Sequence, residues 1–485
     1  MRLKELFPHY DFCGVDGNVE ISGIAIDSRR VKAGDLYVAI KGLHVDGHDF
    51  IQQAVKNGAV AVLVSDTQAD SGRQVAAPTI IAKDARVELS RVAKVFYGDP
   101  AGGMKLVGIT GTNGKTSTTS FVEHILLSAG KRVGAIGTLG VRLDGKPLDM
   151  PFATSTTPDT IELFAIIRAM SDAGCEYLVM EVSSHALALH KVSELRFDVG
   201  IFTNLSQDHL DFHGTMENYR HAKATLFNLC DVGIINHDDD MRDFLLDFAP
   251  DSCKMLTYGM DGGNYHATDC ILQSSGVSYI IKGQEIAVPI PGKFTIYNTL
   301  AAYGASLALG LDAKIVRDAL ANMQGVGGRI QSIPNNRGIS VIVDYAHTPD
   351  GLENIITACR GFTKGRVITV FGCGGDRDPI KRPIMGEMAG RLSDFCIITS
   401  DNPRNENPAD IIDQVEQGML QTSCEYQKII DRQKAIFAAI AMAKADDCVI
   451  IAGKGHETYQ EFENGRREDF DDAKIAQHAL GNIGG

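Results

Sequence analysis

Lys105-Leu-Val-Gly-Ile-Thr-Gly-Thr-Asn-Gly-Lys-Thr-Ser-Thr-Thr119 is the stretch from which the fold of this chain is read. An apolar strand runs into a Gly-rich turn, and a helix is expected to begin at the Lys115-Thr116 pair. Backbone N–H groups of such a turn, with the helix N-terminus behind them, form a cradle for phosphate. Gly111 and Gly114 let the backbone approach an anion closely, and Thr112, Asn113 and Ser117 complete the loop. Lys115 would reach β- and γ-phosphates, and the Thr116 hydroxyl suits Mg²⁺. The common pattern G-x-x-x-x-G-K-S/T is not met, because Ile109 stands where its first Gly belongs. A Gly-rich turn that only caps a helix is the plain alternative, and the strand–turn–helix context argues against it.

With 485 residues the chain is too long for a single core, and about three domains are expected. No apolar run approaches the roughly 18 residues of a membrane span, so no membrane insertion is expected. The start, Met1-Arg-Leu-Lys-Glu-Leu-Phe-Pro-His9, lacks an apolar core of a secretory signal. Ten cysteines without a C-x-x-C pair read as reduced thiols of a cytoplasmic protein. A net charge of −14 disfavours nucleic acid as a partner, although small anions can still bind where cations cluster.

Three blocks follow from the linkers. Residues 1–98 alternate short strands (Leu36–Ile40, Val60–Val64, Thr79–Ala82) with helical stretches, and Tyr97-Gly-Asp-Pro-Ala-Gly-Gly103 breaks the pattern. Residues 99–330 carry the phosphate loop, further strands at Arg132–Gly137, Tyr177–Glu181 and Val199–Thr203, a β-like insertion over 257–292 and a helix from near Ile296. Gly325-Val-Gly-Gly-Arg329 marks the second linker. Residues 331–485 repeat one design four times: apolar strands Ile339–Val343, Arg366–Phe371, Phe395–Thr399 and Cys448–Ala452, each followed by a polar, mostly Gly-rich loop. Strands apolar on both faces and separated by helices predict a parallel, doubly wound sheet. Ligands bind at the carboxyl ends of such strands. Those ends carry Asp344-Tyr-Ala-His-Thr-Pro349, Gly372-Cys-Gly-Gly-Asp-Arg377, Ser400-Asp-Asn-Pro-Arg404 and Gly453-Lys-Gly-His-Glu457.

Two further segments carry chemistry. Glu181 ends an apolar strand, where a metal-binding acid must stand to meet a nucleotide, although a helix-capping role is equally compatible with the Ser183-Ser184-His185 that follows. Asp208, His209, Asp211 and His213 crowd six positions, a density that suits Mg²⁺ coordination. Lys223, in the helix Glu217–Phe227, reads by itself as a solvated lysine.

The loop GTNGKTST, the segments LVMEVSSHAL and FTNLSQDHLDFHGTMENYRHAK, and the loops DYAHTPD, GCGGDRD, DNPR and GKGHE occur in this order over nearly the whole chain. Together they resemble the Mur ligase family, and the stretches Asp27-Ser-Arg29 and Gly34–Ile40 resemble its uridine-nucleotide domain. The resemblance implies an α/β protein of three domains: an N-terminal uridine-nucleotide domain, a central P-loop NTPase-like parallel sheet, and a C-terminal Rossmann-like doubly wound domain. It also implies that 111–117 hold ATP, with Asn298, Arg329, Asp344 and His347 near the nucleotide. Thr116, Glu181, His209 and Lys223 would hold Mg²⁺, the lysine as a carbamate; that modification needs a neutral amine, hence a depressed pKa. Ser28, Thr156, Thr157, Ser183 and Lys191 match muramoyl-substrate positions. Arg377, Asp401, Asn402, Pro403, Arg404, Gly453 and Glu457 match positions for the amino acid.

The implied reaction joins meso-diaminopimelate to UDP-MurNAc-L-Ala-D-Glu at the expense of ATP, in a cytoplasmic monomer. Arg404 points to diaminopimelate, whose second carboxylate a guanidinium can meet; lysine-adding relatives lack an Arg there. Alternatives are the same ligation with L-lysine, a folylpolyglutamate synthase-type ligase, and a nucleotide switch that forms no amide. The N-terminal block and the DNPR loop argue against the folylpolyglutamate reading.

Overall fold

A computed structural model describes the chain except residues 11, 13–15, 43–44, 66–76, 155, 274, 324, 326–327 and 483–485, and the side chains of Asp211 and Asn482. Its backbone packs into two compact units, Met1–Thr257 with Gly304–Leu311, and Tyr258–Tyr303 with Asp312–Gly485. Among the described residues no helix is long and apolar enough to cross a membrane.

The first unit contains two sheets. Strands β1 (Gly23–Ala25), β2 (Asp35–Val38), β3 (Ala61–Ser65) and β4 (Thr79–Ala82) lie side by side in chain order, all parallel. Leu36, Val38, Ala61, Leu63 and Ile80 pack on Leu89 and Val92 of the helix Ala85–Phe96, which Asp84 caps by accepting from Arg86 N–H.

The second sheet uses β5 (Lys105–Thr110), β6 (Val133–Gly137), β7 (Gly140–Leu143), β8 (Lys146–Pro147), β9 (Tyr177–Glu181), β10 (Phe197–Phe202) and β11 (Cys230–Asn236). Their order is β11-β10-β5-β9-β6-β7-β8. The five strands from β11 to β6 are parallel, and β7 and β8 fold back antiparallel. Strand β5 is central, so the loop after it opens at the middle of the carboxyl edge. Gly108 lets the neighbouring strand close in: a Cβ there would stand 2.9 Å from the Phe197 ring.

In the second unit the expected β-rich insertion is present. The end of β12 (Lys254–Gly259) pairs with β13 (Tyr265–Gln273), and β14 (Gly276–Ile281) and β15 (Gln284–Val288) continue as an antiparallel meander. The helix Lys293–Ala308 follows, three residues earlier than its apolar run suggests. The last sheet has order β16-β17-β21-β18-β19-β20, built from β16 (Gln331–Ser332), β17 (Ser340–Asp344), β18 (Val367–Phe371), β19 (Phe395–Ile398), β20 (Glu425–Lys428) and β21 (Cys448–Ala452). It therefore has six strands rather than the expected four. The four predicted strands are its parallel centre; β20 adds a parallel edge and β16 an antiparallel one. Both additions are short or polar edge pieces, which carry no apolar run to reveal them. Because β21 returns between β17 and β18, the chain reverses direction across the sheet there, and the loops after β17, β18, β19 and β21 share one edge.

Candidate active site

The phosphate loop is held from behind by the segment after β10. Thr112 N–H donates to Asn204 O at 2.8 Å, Asn113 N–H to Asn204 Oδ1 at 3.0 Å, and Thr203 Oγ1 to Asn113 O at 2.6 Å. Gly111, at φ +146°, has no room for a side chain because Thr203 Oγ1 occupies that space. Gly114, at φ +85°, is the N-cap of the helix Lys115–Ser128. Lys115 Nζ donates to Gly111 O and Thr112 O, both at 2.9 Å, so the ammonium lies over the loop it would share with phosphate.

Glu181 is 1% exposed at the end of β9. Its Oε2 accepts from Thr116 Oγ1 and Thr138 Oγ1, both at 3.1 Å, and its Oε1 from Thr138 N–H at 2.9 Å. Thus the first turn of the loop helix and the strand-end acid meet directly. The partner on the far side, Thr138, is absent from the sequence expectations; its position just past an apolar strand ending in Gly137 is the one signal it gives. Gly137 itself is needed, since a Cβ there would collide with Glu181 Oε1.

Lys223 is 2% exposed, contrary to the reading of an isolated helical lysine. Burial, then the neighbouring charge of Lys115, drive its pKa well below the usual value despite the opposing pull of Asp208. Its Nζ lies 4.5 Å from the centroid of the Tyr219 ring, and the Tyr219 hydroxyl is 3.1 Å from Thr112 Oγ1. Burial raises the Tyr219 phenol to about 12. His209 takes a left-handed conformation (φ +53°), with its ring 4.9 Å from that of His185 and 6.2 Å from that of Tyr219.

Among the described side chains the acid–histidine run does not gather into one ligand cluster. His213 turns inward, its Nε2 2.9 Å from Ser184 Oγ, while Asp208 is half-buried and pairs with His209 at 3.4 Å. The Asp211 side chain lies outside the described residues. Among the described residues no three His, Cys, Asp or Glu side chains converge on one point that could hold a metal. A divalent cation here would draw on Glu181, the Thr116 hydroxyl, His209 and, once modified, Lys223. That donor set is hard and oxygen-rich, and it fits Mg²⁺.

The muramoyl-substrate positions are only partly grouped. Thr157 is a strut: its Oγ1 donates to Glu181 O at 2.9 Å and accepts from Ser183 N–H at 3.0 Å. Ser183 caps the helix Ser184–Ala188 by accepting from Ala186 N–H. Thr156 Oγ1 lies 3.4 Å from Thr138 Oγ1, placing it next to the Glu181 shell. Lys191 is paired with Asp159 at 2.6 Å. Ser28 is buried at the start of a short 3-10 helix in the N-terminal sheet, where its carbonyl accepts from Asn57 Nδ2.

The second unit carries the remaining residues, most of them at the carboxyl edge of its sheet. Asp344 accepts from Ile330 and Ala346 N–H, both at 2.8 Å; burial pushes its carboxyl above the ordinary range against the pull of Arg329. The Arg329 guanidinium lies 4.9 Å from the Tyr345 ring centroid, and His347 Nδ1 is 2.8 Å from Tyr345 O. Asn298 is buried in the helix Lys293–Ala308.

Around the DNPR loop the contacts are denser. Asn402 Nδ2 donates to Glu457 Oε2, and its Oδ1 accepts from Lys454 Nζ, both at 2.9 Å. Lys454, fully buried, also reaches Glu457 Oε2 at 2.9 Å. It was missed in the sequence, although a lone lysine between two glycines after a buried strand is an unusual setting. Arg404, at φ +49°, donates from Nη1 to Gly375 O at 2.8 Å and pairs through Nε with Glu461 at 3.3 Å. Pro403 and Gly375 pack so closely that a Cβ at Gly375 would overlap Pro403 O. Arg377 is exposed on the neighbouring loop.

Comparison with known proteins agrees with this architecture. Residues 20–97 match the Mur ligase family, catalytic domain; residues 109–306 the Mur ligase middle domain; and residues 328–455 the Mur ligase, glutamate ligase domain. A UDP-N-acetylmuramoyl-L-alanyl-D-glutamate–2,6-diaminopimelate ligase of Clostridium acetobutylicum is 43% identical over 99% of this chain and 100% of its own length. A solved structure bearing the same enzyme name superposes with a TM-score of 0.72 at 30% identity, covering 100% of this chain and 99% of that one. The MurF ligase of Thermotoga maritima, solved with ADP, shares the fold at a TM-score of 0.60 and 20% identity, covering 96% and 99%. With three α/β domains matched in order along its length, the chain belongs to the Mur ligase family.

Proposed function

We propose that this protein is the ATP-dependent ligase that adds meso-2,6-diaminopimelate to UDP-N-acetylmuramoyl-L-alanyl-D-glutamate, a step in building the peptidoglycan precursor. The observation that carries this reading is the direct meeting of loop and acid, Thr116 Oγ1 on Glu181 Oε2, together with a buried Lys223 whose pKa burial pushes down. In the reaction the γ-carboxylate of D-glutamate attacks the terminal phosphate of ATP and displaces ADP. The amine of diaminopimelate then attacks the acyl phosphate, and the tetrahedral adduct expels phosphate as the amine loses its proton.

The protein's part is chiefly positioning and electrostatics. Within the loop 111–117 the N–H groups of Thr112 and Asn113 are taken by Asn204, and the helix N-terminus at Lys115–Ser117 offers its N–H groups to the phosphates. Lys115, leaving the carbonyls of Gly111 and Thr112, neutralises the charge of the transferring group. Thr116, Glu181, His209 and carbamylated Lys223 are the residues that would hold Mg²⁺, which when bound screens the phosphate oxygens from the incoming carboxylate. Burial, then the charge of Lys115, lower the pKa of Lys223, the direction that favours the neutral amine carbamylation requires. Thr156, Thr157, Ser183, Lys191 and Ser28 are assigned to the muramoyl dipeptide. Asn298, Arg329, Asp344 and His347 are assigned to the nucleotide. Arg377, Arg404 and the Asp401–Asn402–Glu457 group are assigned to diaminopimelate, with Gly453 admitting it close to the backbone. We infer that the enzyme works in the cytoplasm as a monomer.

Arg404 favours diaminopimelate over L-lysine, since lysine has no second carboxylate for a guanidinium that is only 21% exposed. Competition between equal concentrations of the two amino acids, with ATP and the UDP-dipeptide present, tests this by product mass. The diaminopimelate adduct should dominate; a lysine adduct in equal or greater amount would overturn the substrate assignment.

A further inference from the structure

We propose that Arg432, held by Asp472, is a positioning residue for the amino-acid pocket: it fixes the Asp401 carboxylate and the turn at Gly453 in the arrangement that diaminopimelate meets. This rests on the substrate reading above. Arg432 and Asp472 form a two-pronged pair, Nε to Oδ1 at 2.9 Å and Nη2 to Oδ2 at 2.7 Å, with both side chains fully buried. Such a pair is costly to desolvate, and an apolar pair of similar volume commonly serves stability as well or better. Arg432 is also the first residue of the helix Arg432–Met442, where the helix dipole opposes a cation. Stability alone therefore does not account for the residue.

Its geometry does. Arg432 Nη2 also donates to Ala452 O at 3.0 Å, the carbonyl that ends β21. Gly453 comes next, at φ +125°, and a Cβ added there would stand 2.5 Å from Asp401 Oδ2 and 3.7 Å from Arg432 Nη2. Carboxylate and guanidinium thus flank one backbone atom of the pocket. Asp401 Oδ2 and Arg432 Nη1 are both buried without a hydrogen-bond partner among the described residues. Asp401 and Arg432 are coupled by charge rather than by a hydrogen bond. Burial works against the guanidinium's charge, yet Asp472, then Asp401 and Glu457, hold the proton on it. Asp401 Oδ1 accepts from Asn402 N–H, and the Asn402 side chain reaches Lys454 and Glu457. Displacing Asp401 therefore moves the whole group assigned to the amino acid.

The test uses the full chain and steady-state kinetics with ATP, the UDP-dipeptide and diaminopimelate. The double variant Arg432→Met/Asp472→Leu keeps the core filled while removing both charges. The expected result is a folded protein whose KM for diaminopimelate is raised at least about tenfold, as displaced binding groups require, with the other two KM values within about twofold of the parent. Arg432→Lys, keeping the charge but not the fork, should give a smaller increase in the same KM alone. A folded double variant with the parental KM for diaminopimelate, or equal increases in all three KM values, would overturn the proposal. If the double variant does not fold, Arg432→Lys decides on the same criterion. A parent enzyme that ligates no diaminopimelate would instead sink the substrate reading.

Discussion

Thr157→Val replaces a buried hydroxyl with a methyl group of nearly the same size. In the parent, that hydroxyl donates to Glu181 O at 2.9 Å and accepts from Ser183 N–H at 3.0 Å, and Thr157 is 2% exposed. Water cannot replace either bond without opening the structure. The amide left without an acceptor costs about 1–3 kcal/mol, and the carbonyl adds a smaller penalty, so about 2–4 kcal/mol of stability should be lost. At about 2–4 °C per kcal/mol for a domain of about 150–250 residues, the first melting transition should fall by roughly 4–16 °C. Thr157→Ser, which retains the oxygen, should lose much less. Because the strut ties residues 156–157 to the end of β9, the Val variant should also lose activity through a displaced Glu181. Differential scanning calorimetry of both variants, with turnover measured well below the transition, reads the two effects. A Val variant melting within about 1 °C of the parent would refute the strut, and Thr157 would then be explained by substrate contact alone.

Gly137→Ala drives a Cβ into Glu181 Oε1 and should reduce kcat about a hundredfold, the scale of an ångström-sized misplacement at a reacting centre, with little change in the KM for diaminopimelate; steady-state kinetics check it. Lys223→Ala should be nearly inactive and regain part of its rate when acetate or formate is added, while ¹³CO₂ labelling of the parent should give a carbamate signal in NMR. Arg404→Ala should depress kcat/KM for diaminopimelate far more than for lysine, and equal losses would count against the specificity assignment.

The sheet was largely legible because buried parallel strands are unbroken apolar runs. Tyr177–Glu181 and Cys448–Ala452 run between the same residues in sequence and structure. Edge strands gave no such signal: Glu425–Lys428 has Tyr426 among three polar residues, and Gln331–Ser332 has two residues. At the site, loop chemistry was readable where the backbone carries the function, as at Gly111 and Gly114. Burial was not. Lys223, Lys454 and Arg432 are ordinary cations on paper, and only packing reveals that all three are nearly or fully hidden from solvent. Within the Asp208–His213 run, spacing likewise cannot say that His213 turns to Ser184.

Release of phosphate from ATP, followed continuously with each substrate added in turn, tests the proposed reaction most directly. Sustained release is expected only when UDP-MurNAc-L-Ala-D-Glu and meso-diaminopimelate are both present, in step with amide formation, and it should vanish in Lys115→Ala with the fold intact. Release that proceeds at the same rate without the dipeptide or without the amino acid would contradict a ligase and favour a nucleotide switch that forms no amide bond.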